Sequence, residues 1–186
     1  KRREPSFQDF KDLQKRFSKA EAMAYGMSMS SVAKYGSNSI EGVGVFGSTH
    51  QYDRIWEFEL AEGRYFTELE SNSGPNVALI GSDISQGLFQ GKSAEGKKIG
   101  ILGRKFRVIG VFEKKGKSLV GENQDELILI PTSTMLKLAS PEKLNGNMIM
   151  VRAGAGLSFE EFKSELKGTF RTIRRLKPKV DDDFSL

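Results

Sequence analysis

The chain has 186 residues, 38% of them apolar and 28% charged, with a net charge of +5 and no cysteine. That length buries one good core or two small ones, and a chain without cysteine has neither disulfides nor thiolate metal sites. The longest apolar runs, Val77-Ala78-Leu79-Ile80 and Leu127-Ile128-Leu129-Ile130-Pro131, fall far short of the roughly 20 residues that cross a bilayer, and the basic start Lys1-Arg2-Arg3 leads into no signal-peptide core.

Ser6 with Asp9 three residues later makes a capping box, and Phe7, Phe10, Leu13 and Phe17 form one stripe, so a helix is predicted over residues 7–18. From residue 22 the period changes. Met23, Tyr25, Met27 and Met29 alternate with small residues, which predicts a half-buried strand to about residue 34. Tyr35-Gly36-Ser37-Asn38 supplies a turn into a second strand over residues 39–47. The spelling Gly42-x-Gly44-x-x-Gly47 matches a dinucleotide fingerprint, but its gaps hold strand residues where the fingerprint needs a turn into a helix, so no cofactor is assigned.

A short helical piece follows over residues 51–57, then extended Phe58 and Leu60, then a polar loop over residues 68–76. Residues 77–80 read as a buried strand, and Gly81-Ser82 opens a short helix through Ile84, Leu88 and Phe89. Residues 96–101 and 105–112 form a hairpin about Leu102-Gly103-Arg104. Residues 127–130 are a strand stopped by Pro131, Thr132 caps a helix to Leu138 closed by Pro141, and residues 148–151 are another strand. Ser158 and Glu161 box the last helix, whose stripe Phe159, Phe162, Leu166, Phe170 and Ile173 runs on to Pro178.

Catalytic chemistry is poorly represented. Gly116-Lys117-Ser118 and Gly91-Lys92-Ser93 imitate a phosphate loop, but the spacing from Gly110 and Gly87 is wrong, Leu119-Val120-Gly121 begins no convincing helix, and neither is followed by an apolar strand ending in Asp to hold a magnesium ion. His50 is the lone histidine and reads as a surface turn residue; Glu62 and Arg64 read as turn and ion-pair residues. Asp181, Asp182 and Asp183 read as a solvated linker, because consecutive carboxylates do not converge on one ion without a special loop. No catalytic, cofactor-binding or metal residue is assigned. The cationic excess at Lys114, Lys115, Lys117 and from Arg171 through Arg174, Arg175 and Lys177 to Lys179 reads as a solvated helix face or as a patch for an acidic partner. A basic nucleic-acid-binding domain is therefore the alternative reading, one that lacks an aromatic RNA-binding motif or a recognition-helix pattern.

The order and spacing of Glu41-Gly42-Val43, Tyr52-x-x-Ile55, Glu62-Gly63-Arg64-Tyr65-Phe66, Val77-Ala78-Leu79-Ile80-Gly81, Leu88-Phe89, Gly96-Lys97-Lys98-Ile99, Phe106-Arg107-Val108-Ile109-Gly110-Val111, Ile130-Pro131 and Asp183-Phe184 resemble the extracytoplasmic core domain of the MacB-like ABC transporter permeases, of the FtsX-like permease family. The resemblance implies an α+β fold, with a βαβ-containing porter-like subdomain from residues 1–57 and 132–186 and an inserted β-rich sabre-like subdomain from residues 58–131. It also implies a periplasmic, non-catalytic domain of a bacterial inner-membrane protein, set between the first and second of four transmembrane helices. Its expected partners are a second permease copy, an ABC ATPase acting through the membrane part, and a periplasmic adaptor or outer-membrane channel, with no specific nucleic acid. Such permeases turn cytoplasmic ATP hydrolysis into movement outside the membrane for export or efflux of a substrate, or for regulation of a partner. The helices that begin near Phe7 and Ser158 are each striped on one face, so they are expected side by side on the sheet of residues 22–34, 39–47 and 148–151, with Phe162 and Phe170 buried between the layers.

Overall fold

Helix α1 (Phe7–Arg16) starts where Ser6 Oγ accepts from the Asp9 amide and the Asp9 carboxylate accepts from the Ser6 amide. The computed structural model describes residues 2–116, 123–140 and 143–186 of the chain. After α1 come β1 (Ala20–Tyr35), β2 (Asn38–Ser48), a 3₁₀ turn at His50–Arg54, β3 (Leu60–Gly63), α2 (Glu68–Ser73), β4 (Val77–Ile80), α3 (Ser82–Phe89), β5 (Lys98–Ile101), β6 (Arg104–Phe112), β7 (Leu127–Pro131), α4 (Thr132–Leu138), β8 (Asn145–Ala153) and α5 (Phe159–Ile173).

Strands β2, β7, β4, β6, β5 and β1 are neighbours in that order, and β1 also pairs with β2, so these six close into a ring. β3 adds to β6, and β8 extends the sheet from the first half of β1. The inner strands β4 and β7 are apolar at every position because both of their faces are covered. Ala78, Ile80, Ile128 and Ile130 belong to the main core, which continues under α1, α3 and α5, whereas Val77, Leu79, Leu127 and Leu129 belong to a second core on the opposite face with Phe46, Phe66 and Phe112. The α+β class inferred above is the architecture observed.

Helices α1 and α5 do pack together over the β1/β8 part of the sheet, with the Phe17 and Phe162 rings edge to face at 5.5 Å and Phe162, Leu166 and Phe170 buried. Four local expectations need correction. Residues 68–73 form a helix where a polar loop was expected: Thr67 and Glu70 make a reciprocal cap and Gly74 closes it at φ 69°, but a polar two-turn helix leaves no apolar period to read. The α5 stripe does not stay covered at its start, where Phe159 is 69% exposed, because periodicity sets direction and not how far the covering layer reaches. Nor does α5 run to Pro178. Arg175 turns left-handed at φ 54° and the Leu176 amide bonds back to the Arg171 carbonyl at 3.0 Å. Pro131, not Thr132, caps α4; the Thr132 hydroxyl instead meets the Tyr25 carbonyl at 3.3 Å. Pro141, Lys117 and Ser118 lie outside the described residues.

Candidate functional site: the junction of the chain ends

Phe162, Leu166 and Phe170 recur at four-residue spacing, and Arg174 is the next position on that stripe. A charge on a buried stripe must be paired or it costs several kcal/mol. The Arg174 side chain is fully buried, with Nη2 at 3.2 Å from Asp9 Oδ2 on α1 and Nη1 at 3.1 Å from Asp183 Oδ2 on the C-terminal tail. Its Nη2 also donates to the carbonyls of Arg3 at 3.3 Å and Glu4 at 3.1 Å, while the guanidinium lies over the Phe170 ring at 5.1 Å. One planar cation therefore holds the N-terminal segment, α1, α5 and the C-terminal tail at once, which a point-like ammonium does not match.

Neighbouring groups reinforce the clamp. The Arg3 amide donates to the Asp183 carbonyl at 2.6 Å, and the Phe184 ring stands edge-on to Phe170 at 4.8 Å. Asp182 pairs with Lys167 at 2.8 Å and with Arg171, and both cations hold its carboxyl below the usual range. Arg171 also donates to the carbonyls of Lys177 at 2.7 Å and Val180 at 2.9 Å. On the N-terminal side, the Tyr25 hydroxyl shares its proton between the Pro5 carbonyl at 3.1 Å and Asn147 Oδ1 at 3.0 Å. Burial first, then Asp9 and Glu4, push that phenol up to about 12. The solvated-linker reading of Asp182 and Asp183 is thus corrected, and so is the solvated reading of Arg171 and Arg174. Two of the cations on which a nucleic-acid surface would rest are already neutralised inside the molecule.

The other singled-out residues have structural positions. Gly63 sits at φ 71° where an added Cβ would lie 2.0 Å from the Ile109 carbonyl oxygen, so only glycine fits. Glu62 Oε2 accepts from Ser93 Oγ at 3.0 Å and from the Ala94 and Glu95 amides, each at 3.1 Å. Arg64 grips Glu70 through both guanidinium ends at 2.7 and 3.2 Å, and this pairing holds the Glu70 carboxyl low. The Tyr65 hydroxyl donates to the His50 carbonyl at 3.1 Å, its ring stacks on Phe66 at 4.2 Å, and burial raises its pKa. His50 is half-buried against these two rings. Gly91-Lys92-Ser93 comes after α3 rather than before a helix. Lys115 and Gly116 donate their amides to the buried Asp125 carboxylate, at 2.8 Å each, so the start of that basic tip is anchored.

These features define an α+β domain whose two ends are fastened together by a buried arginine clamp. The profile of the MacB-like periplasmic core domain matches residues 1–169, and the chain belongs to that family. It is 36% identical over 97 residues to a macrolide export ATP-binding/permease protein MacB of Syntrophobacter fumaroxidans, which covers 52% of this chain and 14% of that protein. With the MacB of Chlorobium luteolum it shares 29% over 157 residues, covering 82% of this chain and 23% of the relative. With the pyoverdine export protein PvdT of Pseudomonas aeruginosa it shares 34% over 102 residues, covering 55% and 15%. The chain thus spans under a quarter of the length of these relatives. Among solved structures, the periplasmic region of MacB from Actinobacillus actinomycetemcomitans superposes with a TM-score of 0.79 at 21% identity, covering 93% of this chain and 76% of the other. The extracellular domain of the ABC-type transporter YknZ from Gram-positive bacteria gives 0.74 at 21% identity, covering 94% and 86%. Among the described residues no helix is long and apolar enough to cross a membrane.

Proposed function

We propose that this domain works outside the membrane as the mechanical element of an ABC permease, converting cytoplasmic ATP hydrolysis into movement that serves export of a substrate. The observation that carries this reading is the Arg174 clamp. Because the segment before α1 and the tail after α5 are held by one guanidinium, a displacement applied at either end reaches both and moves the domain as a body. The reading takes residues 1–57 and 132–186 as the porter-like part and residues 58–131 as the sabre-like part. The parallel ladder from Gly44↔Leu127 to Ser48↔Pro131 and the Lys34↔Gly100 pair, which close the ring, then join the middle part to the rest so that the two move together. A second permease copy, an ATPase acting through the membrane part, and an adaptor or outer-membrane channel are the partners this mechanism calls for.

The test uses the full-length parent permease with its ATPase in inverted membrane vesicles. Arg174→Met should reduce substrate transport while ATP hydrolysis continues, since energy is still released but no longer delivered to the domain. Transport unchanged by the loss of the clamp would contradict the mechanical reading.

A further inference from the structure

Among the described residues strand β8 has one neighbour, β1, and the directions of its peptide groups follow from hydrogen bonds on β1. Tyr25 exchanges its carbonyl and amide with Thr49, and the Met23 amide donates to Gln51, so both of these peptide groups face away from β8. Ala22, Ala24 and Gly26 therefore face β8, where they meet Arg152, Met150 and Met148, and the Gly154 amide bond to the Lys19 carbonyl keeps the same alternation. With a period of two, the peptide groups of Asn147, Ile149, Val151 and Ala153 point out of the sheet. The first outward amide, that of Asn147, donates to the Glu4 carboxylate at 3.2 Å, and the Asn147 side chain donates to the same oxygen at 2.7 Å. Among the described residues no strand pairs with β8 on that side, so the next three outward amides have no ladder partner.

Beside this edge lies an open cavity of about 450 Å³, lined by Ile149 and Val151 of β8, Leu166 and Phe170 of α5, and Phe184 of the tail. Arg2 and Arg3 also line it, and neither has an ion-pair partner among the described residues. Natural proteins cover or charge a long sheet edge; here Arg152 is the one charged side chain of β8 and is engaged with Glu21 on β1, which leaves Ile149, Val151 and Ala153 without a guard of their own.

The geometry points to β8 as a strand-addition site for an extended, acidic segment of a partner polypeptide. The segment would bond through its backbone to Ile149, Val151 and Ala153, place alternate apolar side chains in the cavity against Leu166 and Phe170, and set a carboxylate at its end nearest Glu4, beside Arg2 and Arg3. The chain's own Glu4 already meets the first outward amide with a carboxylate. A second copy is the less favoured occupant, because each copy carries +5 and would bring its own arginines to the seam.

The test titrates the 186-residue chain with an acetylated, amidated hexapeptide that alternates valine and phenylalanine with serine and carries a glutamate at each end, read by amide chemical shifts and hydrogen exchange. Binding should slow exchange at Ile149, Val151 and Ala153. Two further hexapeptides carry N-methyl groups on alternate amides, one set on each edge of the strand, and one of them should bind at least tenfold more weakly while the other is retained. Val151→Pro, which removes an outward donor and leaves the β1 ladder bonds in place, should also weaken binding by about tenfold, as the loss of one or two hydrogen bonds predicts. Equal binding of both methylated peptides, or shifts confined to cavity side chains as an amphiphile would give, overturns the proposal. So does edge protection without peptide that accompanies sedimentation as a dimer. Because the isolated chain is used, failure here leaves the export reading untouched.

Discussion

Arg174→Met removes a guanidinium whose side chain is fully buried and leaves the Asp9 and Asp183 carboxylates, 11% and 29% exposed, without their cation. Breaking one side of a buried pair costs about 3–5 kcal/mol, and the partial hydration of both carboxylates places this case near the lower end, about 3 kcal/mol. With a urea dependence of about 2–3 kcal/mol per molar for a chain of this size, the unfolding midpoint should fall by roughly 1 M. Hydrogen exchange at the Arg3 amide, which bonds to the Asp183 carbonyl, should accelerate more than exchange in β4 and β7, because the ends loosen before the ring opens. Arg174→Lys should recover little, since an ammonium does not reproduce the fork that meets two carboxylates and two carbonyls. A midpoint within about 0.2 M of the parent, with the Arg3 amide still protected, would refute the reasoning built on this clamp.

Truncating Phe162 or Phe170 to alanine should cost about 3–5 kcal/mol each in chemical unfolding, because both fill the layer between α5 and the sheet; Phe159→Ala, from an exposed position, should stay within about 0.5 kcal/mol. Gly63→Ala should destabilise by more than about 2 kcal/mol, combining a left-handed backbone with a carbonyl clash, and a neutral result in the same assay would mean that the turn is not fixed as observed. The carboxyls of Asp182 and Glu70 are held low by their cations, so their stabilisation is present above the ordinary carboxylate range of about pH 4 and is lost as pH falls below it. Unfolding midpoints measured from pH 6 to pH 2 should therefore fall on acidification, and the Asp182→Asn variant should show a shallower fall.

Local periods made most elements legible: the stripes of α1 and α5, the alternation in β1, and the unbroken apolar runs of β4 and β7 announce their burial. Ring closure was not legible, because nothing local to Lys34 or Gly100 says that the end of β1 meets β5. The clamp was missed for a related reason. Charge alone groups Arg174 with Arg171, Arg175 and Lys177 as one cluster, although its four-residue spacing from Phe170 places it on the buried stripe and the others off it. Its partners sit 165 positions upstream at Asp9 and nine downstream at Asp183, and only folding brings them together. In the motif Glu62-Gly63-Arg64-Tyr65-Phe66 the turn at Gly63 and the Arg64 ion pair agree with the sequence reading, whereas Glu62 makes no ion pair among the described residues and accepts from Ser93 and two amides instead; Glu70, Ser93 and Ile109 are invisible as partners without the fold.

The central claim, that this domain moves outside the membrane in step with ATP hydrolysis, is tested most directly by a distance between two copies of the parent permease. Ser37 lies exposed at the tip of the β1–β2 hairpin, and this chain has no cysteine of its own to interfere with a label introduced at Ser37→Cys. Pulsed electron spin resonance on the labelled full-length protein in lipid nanodiscs, with and without ATP under non-hydrolysing conditions, reports that distance. The account predicts a nucleotide-dependent shift of several ångströms in its mean. A distribution that stays the same in both states, in a protein that still hydrolyses ATP, would contradict it.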